Sequence, residues 1–329
     1  MSAGDKASCL EKLDAGLLRA CALSWVALAA PCVLDPSAVV FDVFGLDVAT
    51  GLNGVNQPAG GFLQLVAALG SLEVALLLLL ASGEVFDSVL RARVSTSAVL
   101  GALGVLGTFS AAEATGLAIS DPAPVAAVLA LSVVTGGTAL RPVLRDGFSP
   151  GELGALVRSD AQRLLQGGDA GVARGGASST LRFFYQSSTL ASIVVGAAFI
   201  FSPVSPLAVE TAELPATYLA RADLGVVFAF VLAPIQFVLF DAVSEGTLSE
   251  RSSRVLNVVT AAAIVFLDSC GNSQVRRQEV LLEAFNADAS ALDTSRFDVN
   301  TTATFYAALL VAIVYLYQGV TAKDEPRRA

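Results

Sequence analysis

Eight apolar stretches, each near the length needed to cross a bilayer, take up most of this 329-residue chain. A membrane's hydrocarbon core takes about 20 helical residues to span, and it offers no partner to an exposed backbone N–H or C=O. Such stretches fold as helices, because only there do the backbone bonds close within the segment. With 54% of residues apolar and 15% charged, the chain reads as an all-α, polytopic transmembrane helix bundle. The stretches run roughly 15–34, 61–83, 95–115, 122–140, 187–207, 223–243, 254–270 and 302–321. The seventh is short and ends at Asp268, as a locally thinned or shielded span would. Seven to nine spans fit the hydropathy, and eight fits best.

Arginine and lysine placement gives the orientation. Lys6 and Lys12 precede the first stretch; Arg91 and Arg93 follow the second; Arg141, Arg145, Arg158, Arg163, Arg174 and Arg182 follow the fourth. Arg251 and Arg254 follow the sixth, and Lys323, Arg327 and Arg328 follow the eighth. The opposite side is poor in basic residues, with Arg221, Arg276, Arg277 and Arg296 as exceptions. By the positive-inside rule both termini face the cytoplasm, or a matrix or stromal equivalent. The tail before the first stretch mixes Asp5, Glu11 and Asp14 with its lysines, so that stretch reads as a retained helix rather than a cleaved signal. A net charge of −9 argues against a nucleic-acid partner.

The chain divides as a first four-span unit over 1–140, a polar connection over 141–186, and a second four-span unit over 187–329. Within the connection, Ser149-Pro150-Gly151-Glu152 has capping-box spacing with proline at the first helical position. Leu153, Leu156, Val157, Leu164 and Leu165 then mark the apolar stripe of a short amphipathic helix, and Gly167-Gly168 ends it. The glycines that follow lack the lysine of a phosphate loop and read as linker. A second amphipathic segment is expected over 271–300, outside the membrane. A shift of 167 residues lays Leu23 on Leu190, Ala30 on Ala197 and Pro36 on Pro203. A slightly smaller one brings Glu73 beside Gln236 and Arg93 beside Arg254. Four spans per unit keep the same orientation, so the halves would be parallel repeats about an axis along the membrane normal.

The first half, from Leu17-Leu18-Arg19 through Ser71-Leu72-Glu73-Val74 to Arg93, resembles the DoxX-like four-helix membrane family. That family shows a leading leucine–arginine pair and a glutamate in its second span before a leucine-rich run. The resemblance covers about a third of the chain. It implies a four-helix membrane unit, in a family that includes small subunits of quinone-linked oxidoreductases. In the second half Gln236 replaces the glutamate, so a shared carboxylate role does not extend there.

No histidine occurs, which removes histidine-ligated haem and zinc and the usual general base. Pigment or lipid stays open as a bound group, and no lysine lies in a span to carry a retinal Schiff base. Glu73 is the sharpest chemical feature: a mid-membrane carboxyl must be protonated, paired or turned to a polar cavity. It is read either as a proton or cation site or as an inter-helix hydrogen bond to a carbonyl or hydroxyl. Pro234 frees a carbonyl one turn back, near Phe230, and with Gln236 it makes a kink or a cavity wall opposite Glu73.

Glu113, Asp241 and Asp268 near span ends read as solvated or interfacial acids, and Arg19 as snorkelling. Arg91, Arg93, Arg251 and Arg254 are candidate contacts for lipid head groups. Gly101, Gly104 and Gly107 mark a helix-packing face. Phe183, Phe184, Tyr185, Tyr306, Tyr315 and Tyr317 read as interfacial anchors. Cys9, Cys21, Cys32 and Cys270 lack metal-ligand spacing. Asn300-Thr301-Thr302 has the glycosylation pattern but lies too close to the eighth span to be reached.

Two functional classes follow. One is a non-catalytic integral subunit or scaffold of a larger membrane assembly, respiratory or photosynthetic, with membrane lipids and other membrane subunits as partners. The other is a small-solute or proton-coupled transporter using Glu73 and the Pro234–Gln236 break. A membrane enzyme ranks third, since no nucleophile with a base and no paired-carboxylate motif is visible.

Overall fold

The computed structural model describes residues 3–34, 56–82, 88–114, 122–166, 179–201, 225–284 and 294–322. The described residues form helices and short turns, with no strand among them. In chain order they are α1 (Ala3–Leu34), α2 (Asn56–Ala81), α3 (Ser88–Ala114), α4 (Pro122–Arg145), α5 (Pro150–Leu165) and α6 (Ser179–Phe201). A π-helical turn, Val227–Leu232, leads into α7 (Ala233–Glu245), followed by α8 (Arg251–Ala284) and α9 (Thr294–Thr321).

Four helices are long and apolar enough to cross a membrane, over Leu10–Pro31, Ser88–Gly107, Ala126–Arg145 and Val227–Glu245, and shorter apolar helical stretches run Leu69–Ala81 and Tyr306–Thr321. Apolar side chains line the outside of the bundle as well as its core. Leu23, Val26, Leu103, Val133, Val134, Leu310 and Ile313 face outward, whereas Glu73, Ser95, Thr135, Gln236, Asn257 and Thr260 are buried. In water that arrangement would leave apolar area exposed and polar groups dehydrated. In hydrocarbon it places each group where it costs least.

Within the first half α1 lies against α2 and α4, and α3 lies against α2 and α4. Cys21 meets Thr138 (3.8 Å) and the indole of Trp25 donates to Thr135 Oγ1 (2.9 Å), so α1 and α4 run antiparallel. Asp14 closes the same pair through Arg141 (2.9 Å) and Arg145 (3.1 Å). In the second half α6 lies against α7, and α8 against α7 and α9. The rings of Phe184 and Tyr185 against Tyr315 join α6 to α9. The halves meet where α2 lies on α8 and where α3 lies on the π turn and α7. α6 and α9 thus meet through side-chain rings, whereas α1 and α4 also bring their backbones close.

Glycine sets the closest approaches. A Cβ on Gly196 would sit 2.7 Å from the Gly225 carbonyl oxygen and from Ala229 Cβ; one on Gly319 would sit 2.9 Å from the Arg254 carbonyl oxygen. Backbones meet there only because nothing projects between them. Gly246, at φ 73°, ends α7 with its own N–H and that of Thr247 turned back to the last carbonyls, as a left-handed C-cap does.

The expected capping box is present at α5: Glu152 N–H donates to Ser149 Oγ (3.3 Å), and Ser149 N–H donates to Glu152 Oε2 (2.7 Å). These Ser149 donors hold the Glu152 carboxylate below its ordinary range. The cap is therefore in place at neutral pH and lost as pH falls through that lowered value. Along the expected stripe Leu164 is buried and Leu153 and Leu156 are half-buried, whereas Val157 and Leu165 are exposed. Residues 271–284, read from the sequence as the start of a separate surface segment, instead continue α8 without a break. The stretches 35–55, 202–224 and 285–293 lie outside the described residues, as do the side chains of Cys9, Cys32, Glu113, Asp268, Cys270 and Asn300.

Overpacking the two backbone contacts with Gly196→Ala or Gly319→Ala should cost on the order of 1–3 kcal/mol each. Gly107→Ala, where a Cβ meets nothing within 4 Å, should be neutral or stabilising, since alanine is the better helix former. Apparent Tm in detergent reads the difference, and equal values for all three would contradict these close approaches.

Candidate functional site

The seam between α3 and α7 holds the most unusual chemistry. Three contacts run along it in opposite residue order: Arg93 with Asp241, Gly101 with Val231, and Gly104 with Val226. At the middle contact α2 contributes Glu73, which is 0% exposed. A Cβ built on Gly101 would collide with Glu73 Oε1 and stand 3.2 Å from both Glu73 Cδ and Val231 Cγ2. Gly101 therefore does more than let helices approach: its missing side chain is the space in which the carboxyl lies. Gly104 does serve close approach, with a Cβ there falling 2.5 Å from Val226 Cγ1, while Gly107 faces open space. Among the described residues neither Glu73 oxygen has a hydrogen-bond partner, so the expected bond to a carbonyl or hydroxyl is not found among them.

The wall facing Glu73 across Gly101 is the π turn. Pro234 has no N–H to donate, and the Ala233 N–H reaches back five residues to the Phe228 carbonyl. The chain thus absorbs the proline by widening one turn, at the place where a kink was expected near Phe230. Widened turns of this kind recur where helices build functional sites.

Gln236 does not join Glu73. It turns into the second half, where its Nε2 donates to Ser188 Oγ (3.0 Å) and Tyr315 OH donates to the same oxygen (2.8 Å). Beside them Tyr185 OH donates to Asn257 Oδ1 (2.6 Å), and Asn257 Nδ2 donates to the Ser253 carbonyl (3.0 Å). Phe184, Tyr185 and Tyr315 form a mutual ring cluster with centroids 5.3–5.4 Å apart. Tyr185 and Tyr315 are thus fully buried members of a polar and aromatic core, a correction to their reading as interfacial anchors. Phe183, Tyr306 and Tyr317 are exposed as anchors would be.

At one end of the seam five charges meet. Arg93 binds Asp160 of α5 through Nε (2.9 Å) and Nη2 (2.7 Å), and Asp241 of α7 through Nη1 (2.7 Å). Its guanidinium lies 5.2 Å from the Phe237 ring centroid. Arg163 of α5 pairs with Asp241 and approaches Glu245 at 4.0 Å. Asp241 is therefore a buried, doubly paired acid and not the solvated one its position suggested. Arg91 pairs with Asp146 (2.9 Å). Arg254 donates to the Gly319 (3.0 Å) and Val320 (3.2 Å) carbonyls, satisfying the end of α9, which helix ends require. Three of the four arginines considered for lipid head groups are thus engaged by the protein itself; Arg251 is exposed at the start of α8.

Sequence reasoning missed Asp160, Arg163 and the burial of Asp241. The available signal was one acid per helix end on the arginine-rich side. Among the described residues no three Cys, Asp or Glu side chains gather in a way that would hold a metal ion. The chain matches no protein-family model, no curated protein and no solved structure.

Dicyclohexylcarbodiimide, a lipid-soluble reagent for protonated carboxyls, should label Glu73 and spare Asp241, as read by peptide mass mapping. Labelling confined to Asp241 would contradict this assignment. Tyr185→Phe should cost about 1–3 kcal/mol by leaving Asn257 Oδ1 buried without its donor. Adding Asn257→Leu should recover part of the loss in apparent Tm.

Proposed function

We propose that this chain is an eight-span integral membrane protein, built of two parallel four-helix units, that couples proton movement to transport of a small solute through Glu73. Four helices meet the length and hydropathy of a span, and 61–81, 187–201, 254–270 and 302–321 of the other four apolar stretches also lie on helices. In favour of the repeat, α1–α2, α2–α3 and α3–α4 packing has counterparts in α6–α7, α7–α8 and α8–α9. The alternating basic residues support termini on the cytoplasmic side.

The observation that carries the reading is the Glu73 carboxyl, fully buried and without a partner among the described residues, set into the space at Gly101. An ionised carboxylate so placed would be heavily penalised, so the neutral acid is the resting form. Among the described residues neither oxygen has a hydrogen-bond partner, and no group of three Cys, Asp or Glu side chains gathers there. Mg²⁺ and Ca²⁺ take six or more oxygens, which favours a proton as the coupled ion. Transporters built from repeats place their sites at the repeat interface and open it alternately to each side. The same Glu73 carries the resemblance to DoxX-like proteins. The reading as a non-catalytic subunit rests on what the chain lacks, whereas Glu73 is a positive feature.

The test is reconstitution on a solid-supported membrane, screening amino acids, sugars, organic anions and organic cations for currents that depend on a pH gradient. One class should give a current in the wild type that Glu73→Gln abolishes while apparent Tm and monodispersity hold. A current that survives Glu73→Gln would overturn the role of Glu73. Stoichiometric co-purification of other membrane subunits, with no solute-driven current, would favour the scaffold.

A further inference from the structure

We propose that α5, the helix of the connection between the two halves, is a latch that clamps α3 to α7 and closes the approach to Glu73 from that end of the seam. The consequence for Glu73 rests on its reading as a proton site; the clamp itself stands on geometry alone. Arg93 belongs to the first half and Asp241 to the second, and α5 supplies one charge to each. Asp160 takes Arg93 in a two-point bond, and Arg163 takes Asp241. Arg93 also bonds Asp241 directly. The result is a triangle of elements held at every side by charge.

The triangle lies in line with the carboxyl. Gly101 follows Arg93 by eight residues on α3, about 12 Å along a helix axis. On the facing chain Val231 precedes Asp241 by ten residues, or about 15 Å if the whole stretch keeps helical rise. The two helices that cradle Glu73 are therefore the two that α5 fastens. Phe237, under the Arg93 guanidinium, lies between Val231 and Asp241 in the chain and is itself buried.

The polar contacts found between α5 and the other helices lie in its second half, beside one buried apolar residue, Leu164, and the half-buried Leu153 and Leu156. Besides the ion pairs, Gln186 Nε2 donates to the Leu164 carbonyl (2.8 Å), and Leu164 alone among its apolar residues is buried. Val157 and Leu165 stand 54% and 76% exposed. A helix bound by its apolar face would release only with loss of a core. One bound by charges at the protein edge releases when those charges find water or ions instead. Gly147, at φ 89°, turns the chain between α4 and α5.

The test uses the full chain in liposomes and the variant Asp160→Asn/Arg163→Gln, which leaves Arg93 and Asp241 paired. Two readouts are taken: amide hydrogen exchange of α5, and the rate at which a water-soluble carbodiimide with glycine ethyl ester modifies Glu73. Both should rise, the second about ten-fold, the change that a loss of about 1.4 kcal/mol of clamping produces. Labelling by lipid-soluble dicyclohexylcarbodiimide should change little, since that reagent arrives through the bilayer. Faster exchange in α5 with an unchanged water-soluble rate would overturn α5 as the closure of this route. Unchanged exchange would overturn the clamp. If neither reagent reaches Glu73 in any variant, the proton-site reading fails and α5 exchange alone judges the clamp. Should the double variant not fold, Asp160→Asn carries the same comparison.

Discussion

A polar group facing hydrocarbon has nothing to bond, and in this chain that cost governs the placement of nearly every side chain. The helices close their own backbone bonds, and where they end something must meet the leftover carbonyls and N–H groups. Arg254 does this for α9 and the Ser149–Glu152 box does it for α5. Side chains follow the same rule. Serine and threonine hydroxyls along the spans turn back onto carbonyls one turn earlier, as Ser132 does to Val128 and Thr189 to Tyr185. Tyrosine, asparagine and glutamine instead find each other across helices. Against this background Glu73 stands apart, since both its oxygens are buried and neither is met among the described residues.

Gln236 and Glu73, both buried, are met differently by their surroundings. Gln236, on α7, is tied by Ser188 into a network that spans α6 and α9. Glu73, on α2, lies in the space that a side chain on Gly101 would fill, and among the described residues neither of its oxygens has a partner. One half thus has a rigid interior of rings and amides, and the other has a chargeable group at the joint.

Hydropathy located the helices because membrane crossing is a property of a whole stretch, and composition over about twenty residues reports it. Cap chemistry at Ser149 and Glu152 was legible for a different reason: the bonds are local, within three residues. Pro234 was legible for the same reason, although the chain answered it with a wide turn. What could not be read was facing. Tyr185 and Phe183 lie two residues apart in the same stretch, yet one is inside and the other is 69% exposed. Asp241 looked interfacial because nothing in its own helix announces Arg93 or Arg163. Gly196 and Gly319 carry backbone contacts that Gly107, in a conspicuous glycine series, does not. Each of these depends on a partner far away in the chain, which an apolar average does not encode.

Trp25 is the chain's single tryptophan, buried between α1 and α4 with its indole donating to Thr135. Ultraviolet emission from this protein therefore listens to one half alone, while circular dichroism hears every helix. If the halves loosen at different temperatures, the two signals will part company, and the molecule carries its own gauge of whether it melts as one body or two.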